Sequence, residues 1–373
     1  MNSIEHRKKA ISEIKMVVIK IGTRLLTDIS KIDYLMAEIN KLRLKGFKVI
    51  LVSSGAVGIG MKTLNLAKRP PQLSKKQALA AIGQCRLITL YEQAAEKYGF
   101  HVAQLLLTMS GLRNRERHLN TLNCINTLLD MDILPIINEN DSVSVEELTF
   151  GDNDTLATLV AMMTKSKITI ILTTVDGLYD IEKGGFTNRL SIVEGITKTI
   201  KDLALGTDDS ETSIGGMASK IKAAEIATKA GDYLWIANGT NPNILEKIFN
   251  AEDVGTLFTP KKDKQMPSKK RWLSFFTQSQ GKIFIDQGAA NAVINNGRSL
   301  LPSGITSVSG SFKRGNTVEL LNSNNNVIAK GLSNYSVTDL SNIAGLKSKD
   351  INKKLGYYGD EEVIHRDNLV IVK

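Results

Sequence analysis

Six apolar runs recur along the first 240 residues, and each stops at small or polar residues. They are Met16–Ile21, Lys48–Val52, Val102–Leu107, Ile133–Ile137, Ile168–Thr174 and Tyr233–Ala237. A strand that reads as a near-continuous apolar run is buried on both faces, which is the condition of a parallel sheet covered by helices. The intervening stretches fit this. Ile32–Lys45, Gln77–Tyr98, Asn120–Asp130 and Ile221–Ala230 read as helices, and Gly46 and Gly99 stand where two of them should stop. The expectation is a three-layer α/β/α sandwich with a mainly parallel sheet.

The most unusual stretch is 136–161. An apolar strand end runs into Asn138-Glu139-Asn140-Asp141, and after a polar loop Gly151-Asp152-Asn153-Asp154 leads into the apolar run Thr155–Ala161. Asp and Asn before such a run mark a helix N-terminus. Helix N-termini attract anions. Three acids there, Asp141, Asp152 and Asp154, make sense if a cation is held as well. Either the ligand carries both carboxylate and ammonium groups, or an acid positions lysines.

Ligands of open α/β sheets bind beyond the carboxyl ends of the strands. Those ends carry Lys20-Ile21-Gly22-Thr23, Ser53-Ser54-Gly55, Asn138–Asp141 and Thr173-Thr174. Glycine lets the backbone approach a phosphate and offer its N–H groups. Lys20 beside Gly22 suits one phosphate, and Gly215-Gly216-Met217 ahead of Lys220, at a helix start, suits another. Other motifs fail. Gly55, Gly58 and Gly60 do not make the dinucleotide fingerprint, and no G-x-x-x-x-G-K-[ST] exists. His365-Arg366-Asp367 imitates a protein-kinase loop but lacks its companions. The four histidines form no ligand pattern, and His118 in Arg113–His118 reads as part of a charged loop or interface.

The net charge of +10 is unevenly placed: +5 falls in residues 261–271, +3 in 272–373 and +2 in 1–260. A nucleic-acid-binding face would spread its basic residues, so 261–271 reads as a solvated basic linker and nucleic acid is not the expected partner. It separates a domain at 1–260 from one at 272–373. The latter has short strand-like runs (Lys282–Ile285, Val318–Leu321, Val327–Ala329), a hairpin tip at Ser323–Asn326 and a short helix near Ser336–Ala344. Cys85 and Cys124 read as reduced core residues, the basic N-terminus has no apolar region of a secretory signal, and no run approaches a membrane span.

Val18–Thr23, Ser53–Ala56, Ile137–Asp141, Gly151–Asp154 and Gly215–Lys220 together resemble the amino acid kinase family. Gly281-Lys282-Ile283, Ser299–Ile305 and Phe312–Gly315 resemble a PUA domain. The resemblance implies that Lys20 and Lys220 contact the transferred phosphoryl group, with Asp154 holding both. It implies that Ser54, Gly55, Asn138, Asp141, Asp152 and Asn153 bind L-glutamate. Lys20, Gly22, Thr173, Thr174, Gly215, Gly216, Met217 and Lys220 would line the ATP site, with Mg²⁺ carried mainly on the nucleotide phosphates and no protein metal site. Thr174 and Ile214 depart from the family pattern, which has Asp and Thr there.

The implied activity is phosphorylation of the γ-carboxylate of glutamate to γ-glutamyl phosphate, opening proline biosynthesis. Proline would be the feedback inhibitor, a γ-glutamyl phosphate reductase the downstream partner, and the enzyme a cytoplasmic homo-oligomer. A γ-carboxylate has a pKa of about 4.3 and is already ionised at neutral pH. No general base is needed, which agrees with the lack of a placed histidine.

Overall fold

The structure is a computed structural model. It describes residues 2–12, 14–26, 29–143, 152–182, 185–205, 216–260 and 266–372. The chain divides into two compact units, Met1–Gln265 and Met266–Lys373.

In the first unit the strands are β1 (Met16–Ile21), β2 (Lys48–Val52), β3 (Val102–Leu107), β4 (Leu134–Glu139), β5 (Ile168–Thr173), β6 (Tyr179–Glu182), β7 (Gly185–Arg189), β8 (Ile192–Glu194), β9 (Tyr233–Asn238) and β10 (Thr256–Thr259). Eight of them form one sheet in the order β3-β4-β2-β1-β5-β9-β10-β8, while β6 and β7 pair with each other. The pairings are parallel except β10 against β9. All six apolar runs are strands. The other four, β6, β7, β8 and β10, are not among them, because strands of three to five residues carry too little pattern.

Side chains alternate across a strand. Val17, Ile19 and Ile21 of β1 and Ile168, Ile170 and Leu172 of β5 enter a core shared with helices Ile29–Leu44, Leu73–Glu96 and Ile244–Phe249. Lys20 therefore faces the opposite side, where helices Asn153–Thr164 and Met217–Ala230 lie. From β1 the chain moves through β2 toward the β3 edge. From β5, beside β1, it moves toward the β8 edge. The carboxyl ends of β1 and β5 thus flank a topological switch point, where ligands of such sheets bind.

Helix Ala56–Thr63 lies almost backbone-to-backbone on Leu73–Glu96. A Cβ at Gly83 would sit 1.7 Å from the Ala56 carbonyl oxygen, and one at Gly60 2.0 Å from that of Leu79. Glycine at both points fixes the helix that begins at Ser54-Gly55.

Several local expectations need correction. The Asn120 helix begins at Arg115, capped by the Asn114 side chain on the Arg117 N–H, so His118 belongs to a helix and is buried. Both cysteines are free but exposed, not core. The basic N-terminus forms helix Ser3–Ile11, with Arg7 buried and paired to Asp253 at 2.6 Å.

The second unit has a five-stranded sheet, β12-β11-β13-β14-β15, from β11 (Gly281–Ile285), β12 (Ile305–Gly310), β13 (Thr317–Leu321), β14 (Val327–Leu332) and β15 (Leu369–Ile371). Its own core includes Ile283, Val318, Leu320 and Ala329, with helix Val337–Ile343 capped by Ser336. At the β13–β14 tip the Asn322 side chain accepts from the Asn324 and Asn326 N–H groups, which closes the hairpin. Of the basic stretch Lys261–Arg271, residues 261–265 lie outside the described residues. Ser268–Arg271 is a helical turn, and Arg271 is buried rather than solvated.

Candidate active site

Asp154 is the centre of the site. Asp152 caps helix Asn153–Thr164, its Oδ1 accepting from the Thr155 N–H at 2.7 Å. The cap starts the helix so that Asp154 falls in its first turn, facing β1 and helix Met217–Ala230. Asp154 is fully buried, and Lys20 and Lys220 are nearly so. Lys20 Nζ lies 2.6 Å from Asp154 Oδ1 and Lys220 Nζ 3.2 Å from Oδ2. Ser219 Oγ donates to the same Oδ2 at 2.9 Å. Burial disfavours ionisation of Asp154, but the charges of Lys20 and Lys220 and these hydrogen bonds outweigh it and hold its carboxyl below the usual range. The trio of Lys20, Asp154 and Lys220 sets two cations against one anion, and Asp152 adds a second carboxyl near enough to act on both lysines.

Burial lowers the pKa of Lys220, with Asp154 opposing and Lys20 reinforcing the shift. The sign gives a prediction. If turnover needs the Lys220 ammonium, kcat falls as pH rises, and it does so below the ordinary lysine value of about 10.4. A kcat profile flat beyond that value would remove Lys220 from the titrating set.

A polar cluster stands beside these lysines. Asn153 Nδ2 donates to Ser54 Oγ at 3.0 Å and to Asn138 Oδ1 at 3.1 Å. Asn138 Oδ1 also accepts from the Glu139 N–H at 2.9 Å. Asn153 Oδ1 and Asn138 Nδ2, an acceptor and a donor, are buried with no partner among the described residues. Buried polar atoms in native proteins are rarely left so. Gly55 starts the neighbouring helix at φ +96°, a conformation that a side chain would strain.

Not every expected residue joins these clusters. Asp141 is half-buried beyond β4 and has no hydrogen-bond partner among the described residues. Burial raises its pKa, and the charge of Arg69 opposes the rise. Asp152 is raised by burial and by Asp154. The Gly22 N–H is already bonded to the Leu172 carbonyl at 3.0 Å, so Gly22 offers close approach rather than a donor. Thr173 and Thr174 are half-buried at the end of β5, and the Thr173 carbonyl accepts from the Gly239 N–H at 2.8 Å. Gly216 caps the helix that opens at Met217 and carries Lys220 in its first turn. Gly215 lies outside the described residues. His118, pushed down to about 4 by burial and then by Arg115, stays neutral and has no place in the site. Reading the sequence alone missed Ser219 as a partner of Asp154 and Arg69 as the charge facing Asp141. Neither carried a local signal.

A mainly parallel sheet with buried lysines converging on one carboxylate at its switch point defines a phosphoryl-transfer class of protein. Residues 15–238 match the family model "Amino acid kinase family", and residues 281–355 match the PUA domain. The chain belongs to the amino acid kinase family. Its relatives include proteins named Glutamate 5-kinase. That of Desulfotalea psychrophila is 45% identical over 98% of this chain and 99% of its own length. That of Syntrophotalea carbinolica is 42% identical over 98% and 100%. That of Thermoanaerobacter sp. strain X514 is 42% identical over 96% and 98%. Among solved structures, carbamate kinase from Giardia lamblia bound to AMP-PNP is 20% identical, with a TM-score of 0.49 over 67% of this chain and 99% of that one.

Proposed function

We infer that this protein transfers the γ-phosphoryl group of ATP to the γ-carboxylate of L-glutamate, giving γ-glutamyl phosphate, the first step of proline biosynthesis. Relatives of that name over nearly the whole chain support the substrate. The observation that carries the chemistry is the buried Lys20–Asp154–Lys220 cluster.

The reaction brings one anion onto another, so positioning and positive charge matter more than acid–base catalysis. An ammonium has three N–H donors, so one paired to Asp154 can still face a phosphoryl oxygen. Asp154 holds both lysines in place without neutralising the pair. Mg²⁺ carried on the nucleotide would supply further charge neutralisation beside Lys20 and Lys220. The donor set fits an ion carried by the nucleotide, because Asp154 already serves two lysines and the phosphate oxygens provide the ligands. Gly22 lets the β1 backbone approach the phosphates, and Thr173, Thr174 and the segment from Gly215 to Met217 line the nucleotide. Ser54, Gly55, Asn138, Asp152 and Asn153 hold glutamate, with the unpaired amide atoms of Asn138 and Asn153 meeting its polar groups.

Hydroxylamine trapping of the acyl phosphate, with ATP and Mg²⁺, tests the reading. Glutamate should give hydroxamate. Product from aspartate or N-acetylglutamate alone would assign the enzyme to another carboxylate.

Asp141 is assigned to the α-ammonium of glutamate. Asp141→Ala loses a charge-assisted bond of roughly 1.5–3 kcal/mol, so KM for glutamate rises about ten- to a hundredfold. An unchanged KM in the folded variant would refute the contact. The acyl phosphate hydrolyses readily, which calls for a reductase that consumes it promptly, and proline is the natural feedback inhibitor. We assign the enzyme to the cytoplasm as a homo-oligomer; none of the described helices is long and apolar enough to cross a membrane.

The proposed catalytic residues lie before Ala237, and the second unit has its own core. Domains at 1–260 and 272–373 follow, the second tuning regulation. A chain ended near Lys264 is expected to fold and keep hydroxamate formation. A monodisperse truncated protein without activity would place residues 272–373 in the catalytic unit.

A further inference from the structure

Ser53 and Ser54 follow β2 and turn to opposite faces of the sheet, as successive side chains of an extended chain do. Ser54 Oγ accepts from Asn153 in the polar cluster of the site. Ser53 goes the other way, to helix Leu73–Glu96, where its Oγ lies 2.9 Å from the Tyr91 hydroxyl. Both residues are fully buried. A second bond fixes the direction of the first. Ser53 Oγ donates its one hydrogen to the Ser54 carbonyl at 3.2 Å, so it accepts from Tyr91. Burial pushes the Tyr91 pKa up, with the bond to Ser53 opposing, so the phenol keeps its proton at any working pH.

The bonds from Tyr91 through Ser53 end on the peptide unit between Ser54 and Gly55. A trans peptide is planar, with its C=O and N–H pointing in opposite directions. Drawing the Ser54 carbonyl toward Ser53 therefore turns the Gly55 N–H away from it, at the start of helix Ala56–Thr63. The buried stripe of helix Leu73–Glu96 that carries Tyr91 also carries Gly83, which lies against the Ala56 carbonyl. One helix thus braces the turn on both sides of Ser54-Gly55, by a hydrogen bond at Ser53 and by backbone contact at Ala56. A phenylalanine at 91 would fill the same apolar space. What the tyrosine adds is one hydroxyl, and that hydroxyl is directed at this turn.

We propose that Tyr91 is a positioning residue for glutamate: its hydroxyl orients the Ser53 side chain, which holds the Ser54–Gly55 peptide in the conformation that binds the substrate. The proposal rests on the assignment of Ser54 and Gly55 to glutamate.

The test is steady-state hydroxamate formation by the full chain over glutamate and ATP series, with urea denaturation of each variant. Tyr91→Phe keeps the ring and deletes the bond. KM for glutamate should rise on the order of three- to tenfold, while kcat and KM for ATP change little. Ser53→Ala breaks the same link from its other end and should raise KM similarly, and the double variant should add little to either single one. Ser166→Ala is the control. It removes another buried hydroxyl, bonded to the Met16 and Ile168 carbonyls at the amino ends of β1 and β5, and should lower stability with KM unchanged. An unchanged KM in folded Tyr91→Phe, fully additive effects of the two changes, or an equal rise in Ser166→Ala would overturn the proposal. Should Tyr91→Phe fail to fold, Ser53→Ala decides on the same KM criterion. Wild-type protein that makes no hydroxamate from glutamate would refute the glutamate assignment itself, and the proposal with it. Wild-type activity with an unshifted KM in the variants refutes only the role of Tyr91.

Discussion

Asp154→Ala is expected to lose both stability and turnover. The wild-type carboxylate is fully buried, with Lys20 Nζ at 2.6 Å and Lys220 Nζ at 3.2 Å. Removing it leaves two ammonium groups facing each other in a site that excludes water. Breaking a buried ion pair by deleting one partner typically costs 3–5 kcal/mol, because the remaining charge is uncompensated. A folding loss of about that size should appear in urea denaturation. Both lysines would also leave their positions, so kcat should fall by at least the on-the-order-of 10²–10³ that one misplaced donor costs. The pH dependence has a definite sign. The folded-state pKa of Asp154 is depressed, so its stabilising contribution is complete above the unfolded value of about 3.9 and is lost as pH falls through the lower folded value. Asp154→Ala should lack that acid-side loss. A variant as stable and as active as wild type would show that the cluster is neither structural nor catalytic.

Lys220→Ala separates chemistry from stability. Asp154 keeps Lys20 and the Ser219 hydroxyl, so the folding cost should be smaller than for Asp154→Ala. The lost ammonium is assigned to charge on the moving phosphoryl group, stronger in the transition state than before it. Turnover should therefore fall on the order of 10²–10³, while KM for glutamate changes little. Steady-state hydroxamate assays over a glutamate series measure both. Near wild-type kcat would exclude Lys220 from the transfer step, and a large KM change with kcat intact would move it to ground-state binding.

Some of this protein is written locally. The apolar runs of β1, β2, β4, β5 and β9 announced buried parallel strands, because a strand covered on both faces has no solvent side to alternate toward. Asp152 announced a helix start, since an N-cap bond spans only three residues. Gly46 and Gly99, at φ +86° and +74°, marked helix ends because few other residues accept that backbone. Family resemblance singles out Lys20, Asp154 and Lys220, and the fold brings these three together.

What local chemistry could not supply was their meeting. Lys20, Asp154 and Lys220 come from three separate elements, and their convergence depends on β5 inserting beside β1 and two helices covering one face. The same limit explains the errors. Cys85 and Cys124 lie in helices that show one face to solvent, and composition does not say which face. Arg7 looks solvated in the sequence, yet Asp253, remote along the chain, makes its burial tolerable, and His118 is buried as a neutral ring beside Leu112 and Arg115. The bond between Tyr91 and Ser53 is likewise a product of packing. Apolar periodicity sets which side chains turn inward, but only the fit between a helix and a strand end decides which buried hydroxyls meet.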